Sequence, residues 1–285
     1  MTPRIHDDRA CALGEGVLWH PTRNQLFWFD ILGKRLMSQS GDGAPIHWDW
    51  DDHPSAAGWT DDATLFVATA TGLWTFDIAS GIRDRVAPLE AGDPGTRSND
   101  GRADPLGGFW IGTTGLGAEA GRGAIYRYFR GEVRLLYEQV TIPNAICFAP
   151  GGDLAYFADT AKGAIWSQHL DRAGWPSGAP EMFCDYSAVG VNPDGAVVDE
   201  TGDLWVAQWD AWRVACHGPD GRFRRSIALP AARVTCPAFG GPDRRTLFVT
   251  SATTDLPDAP HHGQAGRTFA VDLNVAGQPE HRVVL

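Results

Sequence analysis

This sequence lacks the features that mark several common classes of protein. No apolar run approaches the roughly 20 residues of a membrane-spanning helix, and residues 1–10 lack the basic and then apolar pattern of a secretory signal. The 24 basic and 35 acidic residues give a net charge of −11 and form no basic cluster. Such a chain repels phosphate backbones and anionic lipid headgroups, which disfavours nucleic acids and membranes as partners. A cytoplasmic location is therefore expected.

Cysteine is also scarce. The five cysteines are an odd number without close spacing, which argues against a disulfide framework or a zinc knuckle and predicts buried thiols in a reducing compartment. No Gly-x-Ser-x-Gly motif is present, which disfavours a serine esterase. Long helical patterns are hard to find, whereas 34 glycines, 19 prolines and 12 tryptophans favour many short strands joined by turns.

A short apolar strand motif recurs along the chain, and its copies begin 39, 44, 45, 50 and 43 residues apart. The six copies are Leu26–Phe29, Leu65–Ala68, Phe109–Gly112, Leu154–Phe157, Leu204–Ala207 and Leu247–Thr250. A turn and a third strand follow each copy, and a fourth strand follows where the spacing permits. Six units of four antiparallel strands predict an all-β fold, a six-bladed β-propeller that occupies residues 1–285 as a single domain.

A pair of β-sandwiches is the alternative, because it would also show alternating strands. Sandwiches do not predict six copies at a nearly constant period, so the repeat favours the propeller. We expect the ring to close by pairing of residues 1–13 with the last blade.

Residues 192–207 show the repeating unit most clearly. Asp194 lies on a predicted Pro-Asp-Gly turn, a short apolar strand follows, and the chain turns again at 200–203 before the strand Leu204–Ala207. This pattern indicates a hairpin with an acidic residue at its mouth. The other units carry different residues in the same position.

In a propeller the first strand of each blade lines the central channel, and its beginning lies near one mouth. Counting back ten residues from each motif samples that position in every blade. The occupants are Gly16 (with Glu15 at eleven), Ser55, Asn99, Asn144, Asp194 and Pro237. Asn and Asp favour strand beginnings in general, which explains any one of these residues. It explains less well why four polar side chains share one register, so we expect these four to converge on the axis: Glu15, Asn99, Asn144 and Asp194.

Two carboxylates and two amides that converge in a channel would be costly to bury, because the carboxylates repel each other and neither has a basic neighbour in sequence. A divalent cation removes that cost. Glu15, Asn144 and Asp194 supply three oxygen ligands with two negative charges, and they leave positions open for water and substrate. An all-oxygen set suits calcium, magnesium, manganese or ferrous iron better than a structural zinc, although the identity of the one divalent ion, zinc included, stays open.

The stretches around these residues resemble the SMP-30/gluconolactonase/regucalcin family of six-bladed propellers, and its bacterial sugar-acid lactonases in particular. The matching motifs are Leu-Gly-Glu-Gly at 13–16, Arg-Ser-Asn-Asp-Gly at 97–101, Pro-Asn-Ala at 143–145, Pro-Asp-Gly at 193–195 and Phe-Gly-Gly-Pro-Asp at 239–243. They cover nearly the whole chain in the right order. The resemblance implies that Glu15, Asn144 and Asp194 bind the metal and that Asp194 is also the catalytic base.

The resemblance further implies that Arg97 and Asn99 bind substrate hydroxyls. Family members often carry a substrate-contacting Glu a few residues after a Gly-Thr pair, but here Thr113 is followed by Thr-Gly-Leu-Gly-Ala before Glu119. Either Glu119 fills that role from a shifted loop position, or the contact is absent.

The activity that the resemblance implies is metal-dependent hydrolysis of a pentono- or hexonolactone to the aldonic acid during carbohydrate oxidation. The enzyme would be a hydrolase of carboxylic ester bonds, a monomer or small homo-oligomer whose partner is a small sugar lactone. Two alternatives are a non-catalytic calcium- or metal-binding propeller and a hydrolase of other esters or phosphotriesters. Trp19, Trp59 and Trp209 are candidate faces for sugar stacking, although packing between blades is the commoner use of such residues.

Overall fold

The computed structural model describes residues 2–256 and 263–285, and 24 strands dominate this part of the chain. In chain order they are β1 (Arg4–Asp7), β2 (Gly14–His20), β3 (Gln25–Asp30), β4 (Arg35–Gln39), β5 (Pro45–Asp49), β6 (Pro54–Trp59), β7 (Thr64–Thr69), β8 (Gly72–Asp77), β9 (Arg83–Pro88), β10 (Thr96–Ala103), β11 (Phe109–Gly115), β12 (Gly123–Phe129), β13 (Glu132–Val140), β14 (Pro143–Phe148), β15 (Leu154–Asp159), β16 (Ala164–His169), β17 (Glu181–Asp185), β18 (Asn192–Val198), β19 (Leu204–Trp209), β20 (Arg213–His217), β21 (Phe223–Ala228), β22 (Val234–Gly240), β23 (Thr246–Ser251) and β24 (Thr268–Asp272). Two single-turn 3₁₀ helices, Thr160–Lys162 and Ser187–Val189, interrupt them.

The strands form six four-stranded antiparallel sheets, which we number as blades 1 to 6. Blades 1 to 5 are β2 to β5, β6 to β9, β10 to β13, β14 to β17 and β18 to β21, and blade 6 is β22, β23, β24 and β1. The first strand of each blade contacts the first strands of its neighbours around the ring, so these six strands are the innermost. The prediction of a six-bladed β-propeller is confirmed.

The hydrophobic core consists of six apolar clusters, one between each pair of adjacent blades. Between blades 1 and 2, for example, Phe27 and Phe29 lie in one cluster with Leu65 and Phe76. The second strand of each blade is covered on both faces by neighbouring blades. A strand buried on both faces is apolar along its whole length, which accounts for the recurring motif.

The ring closes through the N-terminal strand. β1 is the outermost strand of blade 6 and pairs antiparallel with β24, where Arg4 is opposite Ala270 and Ile5 opposite Phe269. The predicted pairing of residues 1–13 with the last blade is therefore confirmed for the strand that forms it.

Every innermost strand carries an irregularity in its pairing near its beginning. Such β-bulges re-aim side chains and often lie beside functional sites. Gly16 adopts φ 54° in this region of β2, and a Cβ there would collide with the carbonyl oxygen of Ser55, so only glycine fits. The predicted Pro-Asp-Gly turn at 193–195 is corrected by the structure: these residues lie within β18 at its bulge.

Residues 274–285, which we call the C-terminal strap, cross the end of the channel opposite to the beginnings of the innermost strands. The side-chain amide of Gln278 donates hydrogen bonds to the carbonyls of Phe148 (2.9 Å) and Val198 (3.1 Å), the last residues of β14 and β18. The strap thus links the ends of the innermost strands of the neighbouring blades 4 and 5.

A buried ion pair holds the strap to blade 3. Arg102, near the end of β10, lies 2.9 Å from Glu280, and the side chains are 10% and 9% exposed. On blade 2, the backbone N–H of Val283 donates to the carbonyl of Trp59 at 2.9 Å. Contacts to four blades therefore fix the strap in place.

All five cysteines are free and buried, in agreement with the prediction of buried thiols. No helix in the described part of the chain is both long enough and apolar enough to span a bilayer.

Candidate functional site

A cavity of about 470 Å³ opens at the end of the channel where the innermost strands begin. It is lined by the five polar residues that the sequence pattern and the resemblance single out: Glu15, Arg97, Asn99, Asn144 and Asp194. They come from β2, β10, β14 and β18. Residues from four different blades, far apart in sequence, thus meet in one cavity, as their shared position on the innermost strands predicts.

Glu15 and Asp194 are two buried carboxyls on the wall of this cavity. Burial, followed by the charge of Asp100, raises the pKa of Glu15 to about 8, although the Gly16 N–H and the charge of Arg97 oppose the shift. Burial, followed by the charge of Glu15, also raises the pKa of Asp194 well above its usual range. The fold therefore holds two carboxyls where negative charge is poorly stabilised by the protein alone.

Two amides stand beside this pair. Arg97 donates through Nη1 to Asn99 Oδ1 at 2.8 Å and to the carbonyl of Ser98 at 2.9 Å. Asn99 Nδ2 in turn donates to Asn144 Oδ1 and to the carbonyl of Pro143, both at 3.0 Å. Because both hydrogens of the Asn99 amide are used, only its oxygen remains to contact a ligand, as an acceptor.

Sequence reasoning missed four polar residues that line the cavity, which are Thr160, Asn192, Thr254 and Asp255. Of these, Thr160 contacts a predicted ligand. Its hydroxyl accepts a hydrogen bond from Asn144 Nδ2 at 2.8 Å and donates to the carbonyl of Pro193 at 2.7 Å. Thr160 lies in the turn after β15 and not on an innermost strand. Counting back from the repeated motif therefore cannot reach it.

The residues present fit a divalent cation. Two buried carboxyls, with Asn144 on the wall of the same cavity, offer a hard, all-oxygen donor set that carries two negative charges when ionised. Among the residues that the structure describes, no three His, Cys, Asp or Glu side chains cluster as metal ligands, since the third oxygen here belongs to an amide. A cation at this position would stabilise the ionised form of both carboxyls, which burial and nearby carboxyls disfavour.

Glu119 is not brought to the cavity. Its carboxylate accepts a hydrogen bond from the backbone N–H of Gly117 at 3.2 Å and thus caps its own loop. Leu116 and Ala118 of that loop line the cavity instead. The predicted contact of Glu119 with substrate stays a prediction.

The outer walls of the cavity are more apolar than its floor. Leu32, Leu116, Ile142 and Trp209 lie there, and Leu32 and Leu116 are 43% and 54% exposed. Of the three tryptophans considered for stacking, Trp209 alone is among the lining residues. The other two pack elsewhere, Trp19 stacked on Phe248 and Trp59 bonded through its indole N–H to the strap at Glu280.

Fold and cavity together define a six-bladed propeller with a buried acidic site on its axis. Residues 13–253 match the family described as SMP-30/Gluconolactonase/LRE-like region, and the chain belongs to this family, as its motifs predict.

The chain is similar along its length to lactonases and to a regucalcin. An L-arabinolactonase from Azospirillum brasilense is 35% identical and aligns over 96% of this chain and 93% of its own. A 6-deoxy-6-sulfogluconolactonase from Pseudomonas putida is 32% identical over 94% of both chains. The crystal structure of a calcium-binding protein, regucalcin, from Agrobacterium tumefaciens superposes with a TM-score of 0.97 at 36% identity, covering 100% of this chain and 98% of that one.

Proposed function

We propose that this protein is a metal-dependent lactonase that hydrolyses a sugar aldonolactone to the aldonic acid. The observation that carries the proposal is the buried Glu15–Asp194 pair, which meets two amides and one arginine at the floor of an open cavity. The relatives named for sugar lactone hydrolysis support the enzyme class, a hydrolase of lactone ester bonds.

In this proposal Glu15, Asn144 and Asp194 hold one divalent cation. When bound, the ion supplies Lewis-acid polarisation of the lactone carbonyl and lowers the pKa of a water molecule. Asp194 accepts the proton of the attacking water, because its carboxyl lines the cavity and would touch both the ion and the water. The ester C–O bond then breaks, the released alkoxide takes the proton that Asp194 accepted to become the hydroxyl of the open-chain acid, and the new carboxylic acid ionises and releases one proton.

Arg97 and Asn99 orient the lactone ring. Arg97 uses Nη1 to hold Asn99, and among the described residues its Nε and Nη2 have no hydrogen-bond partner, so they can donate to ring hydroxyls. Asn99 Oδ1 can accept from one hydroxyl. A substrate that lacks those hydroxyls would leave buried polar groups unpaired, which gives specificity.

With the two charges of the proposed ion balancing Glu15 and Asp194, the remaining charges of the cavity favour a neutral lactone. Three carboxyls line it, those of Glu15, Asp194 and Asp255, and Arg97 is the one cation among its described lining residues. A sulfonate or carboxylate on the substrate would find no second cation on the described walls. Uncharged pentono- and hexonolactones are therefore the proposed substrates.

The test is acid release, because hydrolysis of a lactone at neutral pH liberates one proton per turnover. Neutral pentono- and hexonolactones should release acid in a pH-stat at a rate that vanishes after chelation and returns with a divalent metal. Tight metal binding without acid release would favour the non-catalytic metal-binding propeller. Faster turnover of aryl esters or phosphotriesters would favour the other hydrolase.

A further inference from the structure

A continuous hydrogen-bond chain runs through blades 3, 4 and 5 behind the candidate ligands. It passes from Arg97 to Asn99, from Asn99 to Asn144, from Asn144 to Thr160, and from Thr160 to the carbonyl of Pro193. Every donor–acceptor distance in it is between 2.7 and 3.0 Å. The chain ends one residue before Asp194.

Only one assignment of donors and acceptors allows every hydrogen bond in this chain to form. Arg97 can only donate, and the carbonyls of Pro143 and Pro193 can only accept. Asn99 must turn Nδ2 toward the Pro143 carbonyl, which leaves Oδ1 for Arg97. The same Nδ2 also faces Asn144, so Asn144 must present its oxygen there.

Thr160 requires the same direction from the other end of the chain, because the Pro193 carbonyl takes its hydroxyl hydrogen and its oxygen can then only accept from Asn144. With Oδ1 facing Asn99, Asn144 turns Nδ2 toward Thr160 Oγ1, which accepts at 2.8 Å. The single hydroxyl hydrogen of Thr160 then goes to Pro193 at 2.7 Å. A flipped Asn144 amide would place two N–H donors against Asn99 and would turn N–H groups toward a cation.

We propose that Thr160 is a positioning residue, whose hydroxyl locks the Asn144 amide so that Oδ1, and not Nδ2, is available to the metal. The inference rests on the proposed function because it assumes that Asn144 is a ligand. It extends that function by naming a residue that touches neither the metal nor the reacting atoms and sets the affinity of the site through its neighbour. Groups that orient metal ligands commonly change metal affinity by about 10- to 100-fold when they are removed.

The experiment compares Thr160→Val, which removes the hydroxyl at nearly constant shape, with Thr160→Ser, which keeps it. Titration calorimetry on the metal-stripped full chain with Mn²⁺ and with Ca²⁺ measures affinity directly. Thr160→Val should weaken binding about 10- to 100-fold, whereas Thr160→Ser should stay within about threefold of wild type. Thr69→Val is the matched control, since Thr69 is a buried, hydrogen-bonded threonine of blade 2, which supplies no candidate ligand.

A second variant separates orientation from packing. In Asn144→Asp both terminal atoms of the side chain are oxygens, so the side chain no longer has an amide orientation that Thr160 could fix. Adding Thr160→Val to Asn144→Asp should therefore cost much less metal affinity than adding it to wild type. Equal losses in both backgrounds, wild-type affinity in Thr160→Val, or equal weakening by Val and Ser would each overturn the proposal.

A metal-independent readout distinguishes failure of this inference from failure of the proposed function. If wild type binds neither Mn²⁺ nor Ca²⁺, the metal site itself is wrong. The Asn144 side-chain amide, assigned in ¹H–¹⁵N spectra by its loss in Asn144→Asp, should still exchange slowly in wild type and Thr160→Ser and faster in Thr160→Val. Identical exchange in all three proteins would exclude the lock.

Discussion

Glu15 of blade 1 and Asp194 of blade 5 bring two buried carboxyls together in one cavity. Burial raises the pKa of both, so the protein alone favours protons on this pair. Proton binding and cation binding therefore compete for the same pair of groups.

The stability of the metal-free protein should fall as pH rises. The usual pKa values are 4.5 for Glu15 and 3.8 for Asp194, and burial raises both in the folded state, that of Glu15 to about 8. At pH values between the unfolded and the folded pKa of each group, the folded state holds protons that the unfolded chain has released. Raising the pH therefore favours unfolding. Asp100, with a pKa raised by burial to about 6, acts in the same direction, whereas the charge of Arg97 opposes the shift at Glu15.

Denaturant unfolding of the chelated protein between pH 4.5 and 8 measures this effect. Adding Ca²⁺ or Mn²⁺ should restore stability, and its apparent affinity should increase with pH because the ion displaces protons. A stability that rises through this window without metal would contradict the buried, protonated pair.

Asp194→Asn should lose metal and activity while the fold persists. As proposed base and ligand, Asp194 is expected to contribute about 10²- to 10⁴-fold to kcat/KM by proton transfer alone. Because the variant also removes one of two repelling carboxyls, metal-free Asp194→Asn should unfold at a higher temperature than metal-free wild type above pH 6. Asp243→Asn, an exposed carboxylate change, is the control, and full activity or full metal content in Asp194→Asn would refute the assignment.

Arg97→Ala should raise KM for the lactone without changing metal stoichiometry. Arg97 is expected to bind substrate hydroxyls and also to hold Asn99, so kcat/KM should drop by about 10- to 200-fold. Arg97→Lys keeps the charge but not the planar fork, and it should recover only part of the loss. Steady-state kinetics with metal analysis would settle this, and loss of metal in Arg97→Ala would instead place Arg97 among the residues that build the ion site.

Glu280→Ala should destabilise the protein by about 3–5 kcal/mol, because it leaves the charge of Arg102 buried without its partner. The exposed pair Arg122–Asp93 provides the comparison, and Asp93→Ala should cost at most about 1 kcal/mol. Chemical denaturation of the metal-loaded proteins measures both. Similar small effects in the two variants would show that the strap contributes little.

The fold was predictable because each blade of the propeller repeats the same apolar motif in the sequence. The second strand of each blade is buried on both faces, so it appears as an apolar motif six times, and the position ten residues earlier falls on the innermost strand. Glu15, at eleven residues, shows the limit of such counting, since bulges shift the register of every innermost strand.

Other features depend on contacts that no local pattern records. Thr160 lies on a turn after β15 and reaches Asn144 and Pro193 only when blades 4 and 5 are assembled. The partner of Arg102 is Glu280, 178 residues later in the chain. Neither residue type nor spacing identifies these pairings, because they depend on how the ring closes.

The C-terminal strap affects how substrate enters the channel and how product leaves it. Since the strap occupies the far end of the channel, the substrate and the acid formed from it would use the same entrance. Aldonic acids are anions at neutral pH, and Asp255 stands on the wall of that entrance. Under the proposed function, an uncharged lactone can enter past this carboxylate, whereas the same charge disfavours the return of the anionic acid from solution, so we expect weak inhibition by the product.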